Sequence, residues 1–285
     1  MQILHCILGT LLLSICHLVQ LNKAADRKWL GPGTTPNLED IVIGRCYDYI
    51  ATVNPSVGAR NCSAIWAAFR SAFLSKDPCS VFPSDFELFI NLTHHDIPAN
   101  KSLFWENNKS LVKKYTDTTN RYMALGDTLP GWIGDNMQFC GSVIGTDKKE
   151  FGYAKKSSGE IQILLNGSTP GGAFPVPSFL SDFEIPNFQR DKVTKINIWV
   201  VDEIGGVDVD SCGNNSIAIL ESLLTSKQFP YECVDNYRPV RILQCVDFPH
   251  HADCTTNRSA FTTSSWMIMM TLTFFTLIIV PLLNH

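Results

Sequence analysis

The residues best suited to chemistry lie between Ala124 and Gly141, where two aspartates are crowded among aromatic side chains and chain-breaking residues. Glycines and prolines make a long helix or strand improbable here: Gly126, Pro130, Gly131, Gly134 and Gly141. The aromatic side chains would let an irregular backbone pack firmly, and rigid loops of this kind often carry binding sites. A purely structural interpretation is equally open, in which Trp132 belongs to the core and Asp127 caps a turn.

One further carboxylate, that of Glu184, stands in a proline-restrained segment with apolar neighbours on both sides. The nearest of these are Phe183, Ile185 and Phe188. A glutamate in such surroundings can be held for catalysis, because burial and nearby charges tune its proton affinity. The alternative is a surface residue that happens to lie between buried neighbours.

Net charge and the spacing of cysteines and histidines argue against a nucleic-acid partner and against a metal site. The chain has a net charge of −4 and no run of lysine or arginine, so we predict no nucleic-acid partner. It contains no Cys-x-x-Cys pair and no histidines clustered at ligand spacing, so we predict no metal site. Carboxylates and aromatic side chains therefore remain the candidates for a functional site.

Both ends of the chain are typical of processing signals. The apolar run that begins at Ile7 predicts a secretory signal peptide over residues 1–25. A second apolar run, Trp266–Leu283, is followed only by Asn284 and His285, without the basic residues that usually follow a membrane span. Small residues precede it, which favours a removed GPI signal over residues 259–285; a transmembrane helix is the alternative.

Sequons and cysteines independently predict secretion. Seven Asn-x-Ser/Thr sequons occur, at Asn61, Asn91, Asn100, Asn108, Asn166, Asn214 and Asn257. Ten cysteines are present, and because Cys6 and Cys16 would leave with the signal peptide, eight would remain. An even number of cysteines in an oxidising compartment favours disulfides.

The first half of the chain is predicted to be mainly helical. We expect helices from Leu38, over Ser63–Ser75 with Ser63 as the N-cap, from Pro83, and over Ser102–Val112. The aromatic stripe of the second helix has the spacing of a core face.

The second half changes to the period of strands. Glu160–Asn166, Lys195–Val201 and Phe229–Val234 predict strands, and Asn215–Lys227 predicts a helix between the last two. Strand, strand, helix and strand in this order indicate a small parallel sheet. We therefore predict a mixed α/β fold with a helical lobe at 26–141 and an α/β lobe at 142–258.

Short motifs along nearly the whole mature chain resemble the ADP-ribosyl cyclase and NAD glycohydrolase family, and it is their order that carries the resemblance. They are Ile43–Cys46, the segment from Cys62 to Cys79, Leu103–Trp105, Asp127–Gly131, Asp135–Gly141, Leu165–Ser168, Glu184, Tyr237–Pro239 and Leu243–Cys245. The resemblance implies a helical N-terminal lobe packed on a lobe with a small parallel sheet, and an active site in the cleft between them.

The resemblance also implies chemistry, namely cleavage of the bond between nicotinamide and ribose in NAD, with NADP as a further substrate. Glu184 stands at the catalytic glutamate, Trp105 at a tryptophan that stacks on the substrate, and Asp135 at a carboxylate near the nicotinamide amide. Asp127 belongs to the same substrate-binding loop. No cofactor is expected, because nicotinamide bound to ribose as a pyridinium is already a good leaving group.

Two departures from the family pattern bear on activity. Relatives carry a second acidic residue just before Asp127, and here that position is Gly126. We therefore predict that hydrolysis to ADP-ribose dominates and that cyclic ADP-ribose is a minor product. In addition, the segment between Cys140 and Ser157 is shorter by on the order of twenty residues, more than routine loop variation.

The shorter segment removes an active-site tryptophan and two cysteines, and only Phe151 or Tyr153 stands nearby to replace the aromatic. The family pattern implies the disulfides Cys46–Cys62, Cys212–Cys233 and Cys245–Cys254. It leaves Cys79 and Cys140 without their usual partners, free to pair with each other. Asn100 and Ser158 stand where some members have one further bridge.

The leading prediction is an NAD glycohydrolase on the extracellular face of the plasma membrane, held there by a lipid anchor. The principal alternative is a non-catalytic, GPI-anchored glycoprotein of the same fold that binds a nucleotide or a partner protein. A third is a disulfide-rich adhesion module. The first two differ in whether an aromatic wall still closes the pocket opposite Trp105.

Overall fold

The computed structural model describes residues 33–72, 83–139, 142–143 and 152–255. Several sequence predictions fall outside these residues and concern the signal peptide at 1–25, the C-terminal signal at 259–285, Cys79, Cys140, Phe151 and the sequon at Asn257.

In the described part of the first hundred residues, three helices pack in sequence order around an aromatic core. Helix α1 spans Leu38–Asp48, α2 spans Cys62–Ser71 and α3 spans Glu87–Thr93. Helix α1 continues into a π-helical turn, Tyr49–Val53, and α3 is preceded by a 3₁₀ turn, Pro83–Phe86. The buried side chains shared by these helices include Phe69 and Phe89, whose rings meet edge to face at 5.3 Å.

The start of α2 differs from the prediction. Asn61, not Ser63, is the N-cap, and its side-chain oxygen accepts a hydrogen bond from the amide of Ala64 at 3.0 Å. Asparagine and serine are comparable caps, so residue type alone did not distinguish the two positions. The disulfide between Cys46 and Cys62 joins α1 to the first turn of α2 and thereby fixes where that helix begins.

The predicted helix Ser102–Val112 is wrong, because the structure divides this segment. Ser102–Glu106 forms strand β1, and helix α4 begins only at Lys109 and ends at Thr119. Asn107 separates the two with a φ of 53°, a left-handed conformation that asparagine tolerates better than most residues. The first half of the chain therefore contributes a strand to the sheet.

The sheet has five parallel strands in the order β2-β1-β5-β6-β7. Strand β2 spans Met123–Ala124, β5 Gly159–Asn166, β6 Val193–Val201 and β7 Tyr231–Asp235. In register, Leu103 pairs with Ala124 across β1 and β2. The strands predicted at 160–166, 195–201 and 229–234 are confirmed, as is the parallel pairing of the last two. A separate antiparallel pair joins β3, Gln138–Phe139, to β4, Ser142–Val143.

Further helices are α5 at Leu129–Gly134, α6 at Asn215–Ser226 and α7 at Arg238–Asp247. Helix α6 agrees with its prediction, and the three side chains expected on its inner face, Ile217, Leu220 and Leu224, are all buried. In the part of the chain that the structure describes, no helix is both long and apolar enough to cross a bilayer.

Two compact units are made of alternating chain segments. The first comprises Met1–Phe104, Asn120–Ile161 and Pro177–Thr194, and the second comprises Trp105–Thr119, Gln162–Val176 and Lys195–His285. The lobes predicted at 26–141 and 142–258 are continuous in sequence, whereas each compact unit is discontinuous. A parallel sheet requires long crossover connections, and these carry the chain away from a strand and back again.

Three disulfides connect described residues: Cys46–Cys62, Cys212–Cys233 and Cys245–Cys254. They are the three pairs that the family resemblance implied, so those pairings are confirmed.

Candidate active site

The loop that carries Gly126 and Asp127 is a tight 3₁₀ turn, Leu125–Asp127, placed between β2 and the short helix α5. One carboxylate oxygen of Asp127 accepts a hydrogen bond from the amide of Ala124 at 2.7 Å, so Asp127 caps the turn. Thr128 then caps α5, and its side-chain oxygen accepts from the amide of Gly131 at 3.4 Å. The structural interpretation, in which Asp127 caps a turn, is therefore confirmed for one of its two carboxylate oxygens.

Two glycines of this loop have opposite surroundings. A Cβ atom at Gly131 would lie 1.9 Å from the carbonyl oxygen of Leu125, so only glycine permits this close approach of α5 to the turn. At Gly126 a Cβ atom would meet no atom within 4 Å. The position at which the family resemblance implies an acidic residue is thus sterically open here, and the backbone conformation accepts a side chain.

The far end of α5 is held by Arg45, which lies on α1. One guanidinium nitrogen of Arg45 donates to the carbonyl oxygens of Ile133, at 2.9 Å, and Asp135, at 2.5 Å. The carboxylate of Asp135 remains half-buried and accepts from the side chain of Asn136 at 3.0 Å. Arg45 had no predicted role, although it stands inside the Ile43–Cys46 motif.

Glu184 is buried, with 5% of its surface exposed, at the end of the π-helical turn Leu180–Glu184. A 3₁₀ turn follows directly at Ile185–Asn187, so the proline-restrained segment around Glu184 consists of two consecutive helical turns. Leu180 and Ile185, on either side of the glutamate, are fully buried. A carboxylate this far from water acts strongly on nearby charge, because little solvent screens it.

Tyr153 shows that the carboxylates of Asp127 and Glu184 act on the same region of the first unit. Burial raises the pKa of the Tyr153 hydroxyl, and the negative charges of Asp127 and Glu184 raise it further. That hydroxyl accepts from the amide of Leu103 at 3.1 Å and donates to the carbonyl of Met123. Two acidic groups thus act on this region, and carboxylates favour positive charge on a ligand that binds near them.

Tyr153 does not present an exposed aromatic ring that could line a substrate pocket. Only 4% of its surface is exposed, and its hydroxyl is bonded to the backbone of both β1 and β2. Its ring contacts Phe104 at 4.9 Å, and Phe104 in turn contacts Phe188 edge to face at 4.8 Å. Of the two aromatic residues considered as replacements for the missing tryptophan, Tyr153 therefore serves the core.

Trp105, the predicted stacking residue, lies in the second unit at the fourth position of β1 and is half-buried. In the first unit, Gly126, Asp127 and Asp135 lie on one continuous and tightly braced segment. Over residues 33–72, 83–139, 142–143 and 152–255, no group of histidine, cysteine and acidic side chains is arranged to hold a metal ion.

The sequons differ in accessibility. Asn61, Asn91, Asn100 and Asn214 are exposed. Asn108 and Asn166 each expose only 8% of their surface, and the amide nitrogen of Asn166 donates to Glu203 at 2.9 Å. A glycan is attached through this nitrogen, so the native packing disfavours glycosylation at Asn108 and Asn166.

Asn100 and Ser158, where some relatives have a further bridge, are joined by hydrogen bonds. The amide of Asn100 donates to the carbonyl of Ser158 at 2.9 Å, and its side-chain oxygen accepts from the amide of Glu160 at 2.7 Å. These bonds connect the segment before β1 to the start of β5.

Comparison with known proteins gives a consistent result. A family model described as ADP-ribosyl cyclase matches residues 35–151 and 147–254. The chain is 45% identical over 261 residues to the human ADP-ribosyl cyclase/cyclic ADP-ribose hydrolase 2, covering 84% of this chain and 82% of the relative.

Two solved structures have the same fold. A crystal structure of Aplysia cyclase with the substrate NGD and the product cGDPR matches with a TM-score of 0.71 and 30% identity, over 78% of this chain and 97% of that one. Porcine CD38 with a covalent intermediate matches with a TM-score of 0.67 and 33% identity, over 74% and 100% of the two chains.

Proposed function

Because this chain belongs to the ADP-ribosyl cyclase family of NAD-processing enzymes, we propose that it is a glycohydrolase that releases nicotinamide and ADP-ribose from NAD. The observation that carries the proposal is the buried carboxylate of Glu184, which acts on Tyr153 together with Asp127. Two carboxylates in one region suit a substrate whose nicotinamide ring is cationic and whose ribose becomes cationic during reaction. NADP carries the same reacting groups and is proposed as a second substrate.

The proposed reaction breaks the bond between the ribose C1′ and the nicotinamide nitrogen. The electron pair of that bond moves to the ring, which leaves as neutral nicotinamide, and C1′ gains oxocarbenium character. Glu184 stabilises this positive charge, as carboxylates do in glycoside hydrolysis. A water molecule then attacks C1′ and loses a proton, which gives ADP-ribose. The leaving group needs no further activation, so we propose that neither a metal ion nor a cofactor takes part.

The open position at Gly126 supports hydrolysis over cyclisation. Cyclisation requires the adenine ring to reach C1′ before water does, whereas hydrolysis requires only access for water. Apart from its own chain neighbours, nothing lies within 4 Å of a Cβ at Gly126, which leaves room for water at this position. We propose that cyclic ADP-ribose is at most a minor product.

Trp105 and Asp135 are proposed to orient the substrate. A tryptophan face attracts a cationic ring, and the half-buried Trp105 is placed near the end of a strand, a rigid support for such a contact. Asp135 has its backbone fixed by Arg45, so its carboxylate can accept hydrogen bonds from the nicotinamide amide without first being ordered.

One observation favours the alternative of a surface glycoprotein that binds a nucleotide without turning it over. The burial of Tyr153 removes one of the two residues considered for the aromatic wall opposite Trp105. Substrate that is bound less firmly would react more slowly, and in the limit would only bind.

We propose that the protein acts on the extracellular face of the plasma membrane and is attached by a GPI anchor. The three disulfides support folding in an oxidising compartment. Treatment of expressing cells with a phospholipase specific for phosphatidylinositol should release the protein, whereas a transmembrane anchor would retain it.

The decisive test compares the secreted ectodomain with its Glu184→Gln variant, which keeps the size of the side chain and removes its charge. Each is incubated with NAD, and products are separated by chromatography. We expect nicotinamide and ADP-ribose from the native protein and a loss of at least about a hundredfold in the variant. Equal turnover by a folded variant would refute the role of Glu184. Nucleotide binding without turnover by either protein would support the alternative.

A further inference from the structure

His95 lies just after α3 and is bonded on both sides of its ring. Its Nδ1 lies 3.1 Å from the carbonyl oxygen of Asp96, and its Nε2 lies 3.1 Å from the amide nitrogen of Leu129. A backbone amide can only donate, so Nε2 must be the acceptor and must carry no proton. The ring is therefore neutral, with its proton on Nδ1 donated to Asp96.

The bond from Leu129 completes the N-terminus of α5. The first amides of a helix have no acceptor within the helix, and α5 has only six residues with which to compensate. Pro130 has no amide proton, and the amides of Gly131 and Trp132 donate to the side chain and carbonyl of Thr128. The amide of Leu129 is left, and His95 accepts from it.

Tyr49, in the π-helical turn that continues α1, also contacts this short segment. Its hydroxyl donates to the carbonyl of Asp127 at 2.8 Å and lies 3.2 Å from Nε2 of His95. Tyr49 is fully buried and His95 is 9% exposed. Together they fix the backbone at both ends of the segment Asp127–Leu129, which directly follows Gly126.

We propose that His95 is a positioning residue for NAD cleavage, which holds the turn carrying Gly126 and Asp127 by accepting a hydrogen bond from Leu129. This inference rests on the proposed function. His95 acts only through the backbone, and its contribution is the placement of the turn relative to the carboxylate of Glu184.

Protonation of His95 would break this support, because Nε2–H would then face the amide proton of Leu129. The charged and titratable groups around the ring are Asp96, Arg60, His94, Tyr49 and Asp127, with Lys156 acting on His94. Burial lowers the pKa of His95 most strongly, the bond to Asp96 raises it, and Arg60 lowers it. The neutral ring therefore persists below the ordinary histidine pKa of about 6.5, and the support is lost as the pH falls further.

Two substitutions separate the acceptor from the volume of the ring. His95→Gln supplies a side-chain oxygen that can accept from Leu129 and does not titrate. His95→Leu is similar in size and has no acceptor. Alanine is avoided, because a cavity of about 30 Å³ already borders His95 and a water molecule could enter the enlarged space. His94→Leu is the matched control, since His94 lines the same cavity and, among the described residues, its hydrogen bond is made by the backbone carbonyl, which accepts from Arg60.

Turnover of NAD and amide hydrogen exchange are measured for all four proteins between about pH 5 and 8, the range in which histidines titrate. We expect His95→Leu to lower kcat by about tenfold, with a smaller change in KM, and to speed exchange in the peptide that contains Leu129. His95→Gln should restore kcat to within about threefold and should lack the loss of exchange protection that the native protein shows at low pH. His94→Leu should behave as the native protein does.

The inference is overturned if His95→Leu keeps native kcat and native exchange protection, or if a folded His95→Gln behaves as the leucine variant does. If the native protein does not turn over NAD, the proposed function fails, and the exchange data alone decide whether His95 holds the turn.

Discussion

The contact between Gly131 and Leu125 determines how closely α5 approaches the turn that carries Gly126, and Gly131→Ala would disrupt it. The added Cβ would lie 1.9 Å from the Leu125 carbonyl oxygen, whereas ordinary contacts begin at 3.4 Å. The carbonyl would have to move by about 1.5 Å. The same oxygen accepts from both the amide and the hydroxyl of Thr128, so the movement would also disturb the cap of α5.

The size of the effect follows from three contributions. Overpacking of this kind costs about 1–3 kcal/mol. Loss of one hydrogen bond to the Leu125 carbonyl costs about 1 kcal/mol. Replacing glycine by alanine within a helix returns about 1 kcal/mol. We therefore expect a net loss of about 2 kcal/mol, which corresponds to a fall in Tm of about 4–8 °C for a protein of this size.

Thermal unfolding and NAD turnover test this prediction together. Gly44→Ala is the matched control, because Gly44 is exposed in α1 and its added Cβ would meet no atom within 4 Å. The control should be stabilised by about 0.5–1 kcal/mol and should keep native kcat. Gly131→Ala should lose kcat even at temperatures at which it is fully folded. An unchanged Tm for Gly131→Ala would refute the steric argument, and an unchanged kcat would show that the turn need not be held this tightly.

Two further predictions concern single positions. Gly126→Glu should raise the fraction of cyclic product without loss of stability, because the site has room for the side chain, and chromatography that shows an unaltered product ratio would contradict this role of the position. Asn61→Ala should cost about 1 kcal/mol of stability through loss of the α2 cap, whereas Ser63→Ala abolishes the same sequon and keeps the cap. Unfolding by urea of unglycosylated material distinguishes them, and equal midpoints for the two variants would mean that the cap contributes little.

The residues proposed to carry the chemistry are conspicuous in the sequence by their types, and the family resemblance supplies their proposed roles. A glutamate among phenylalanines and two aspartates among glycines stand out in any reading of the chain. Long elements with a clear hydrophobic period could also be predicted from the sequence, as the buried face of α6 shows. The secondary structure of the segment from Ser102 could not be predicted, because its apolar residues fit a helix or a buried strand equally well. Only the pairing of β1 with β2 and β5 decides between the two.

The residues that brace the site could not be predicted in the same way, because each acts on backbone atoms far away in the sequence. Arg45 bonds to Asp135 across 90 residues, and His95 bonds to Leu129 across 34. A backbone carbonyl or amide has no residue type, so the sequence contains no sign of which one a given side chain will reach. The segment that carries Asp127 and Asp135 is thus held by side chains outside it, and changes in α1 should be felt at Asp135 although no residue of α1 is proposed to touch NAD.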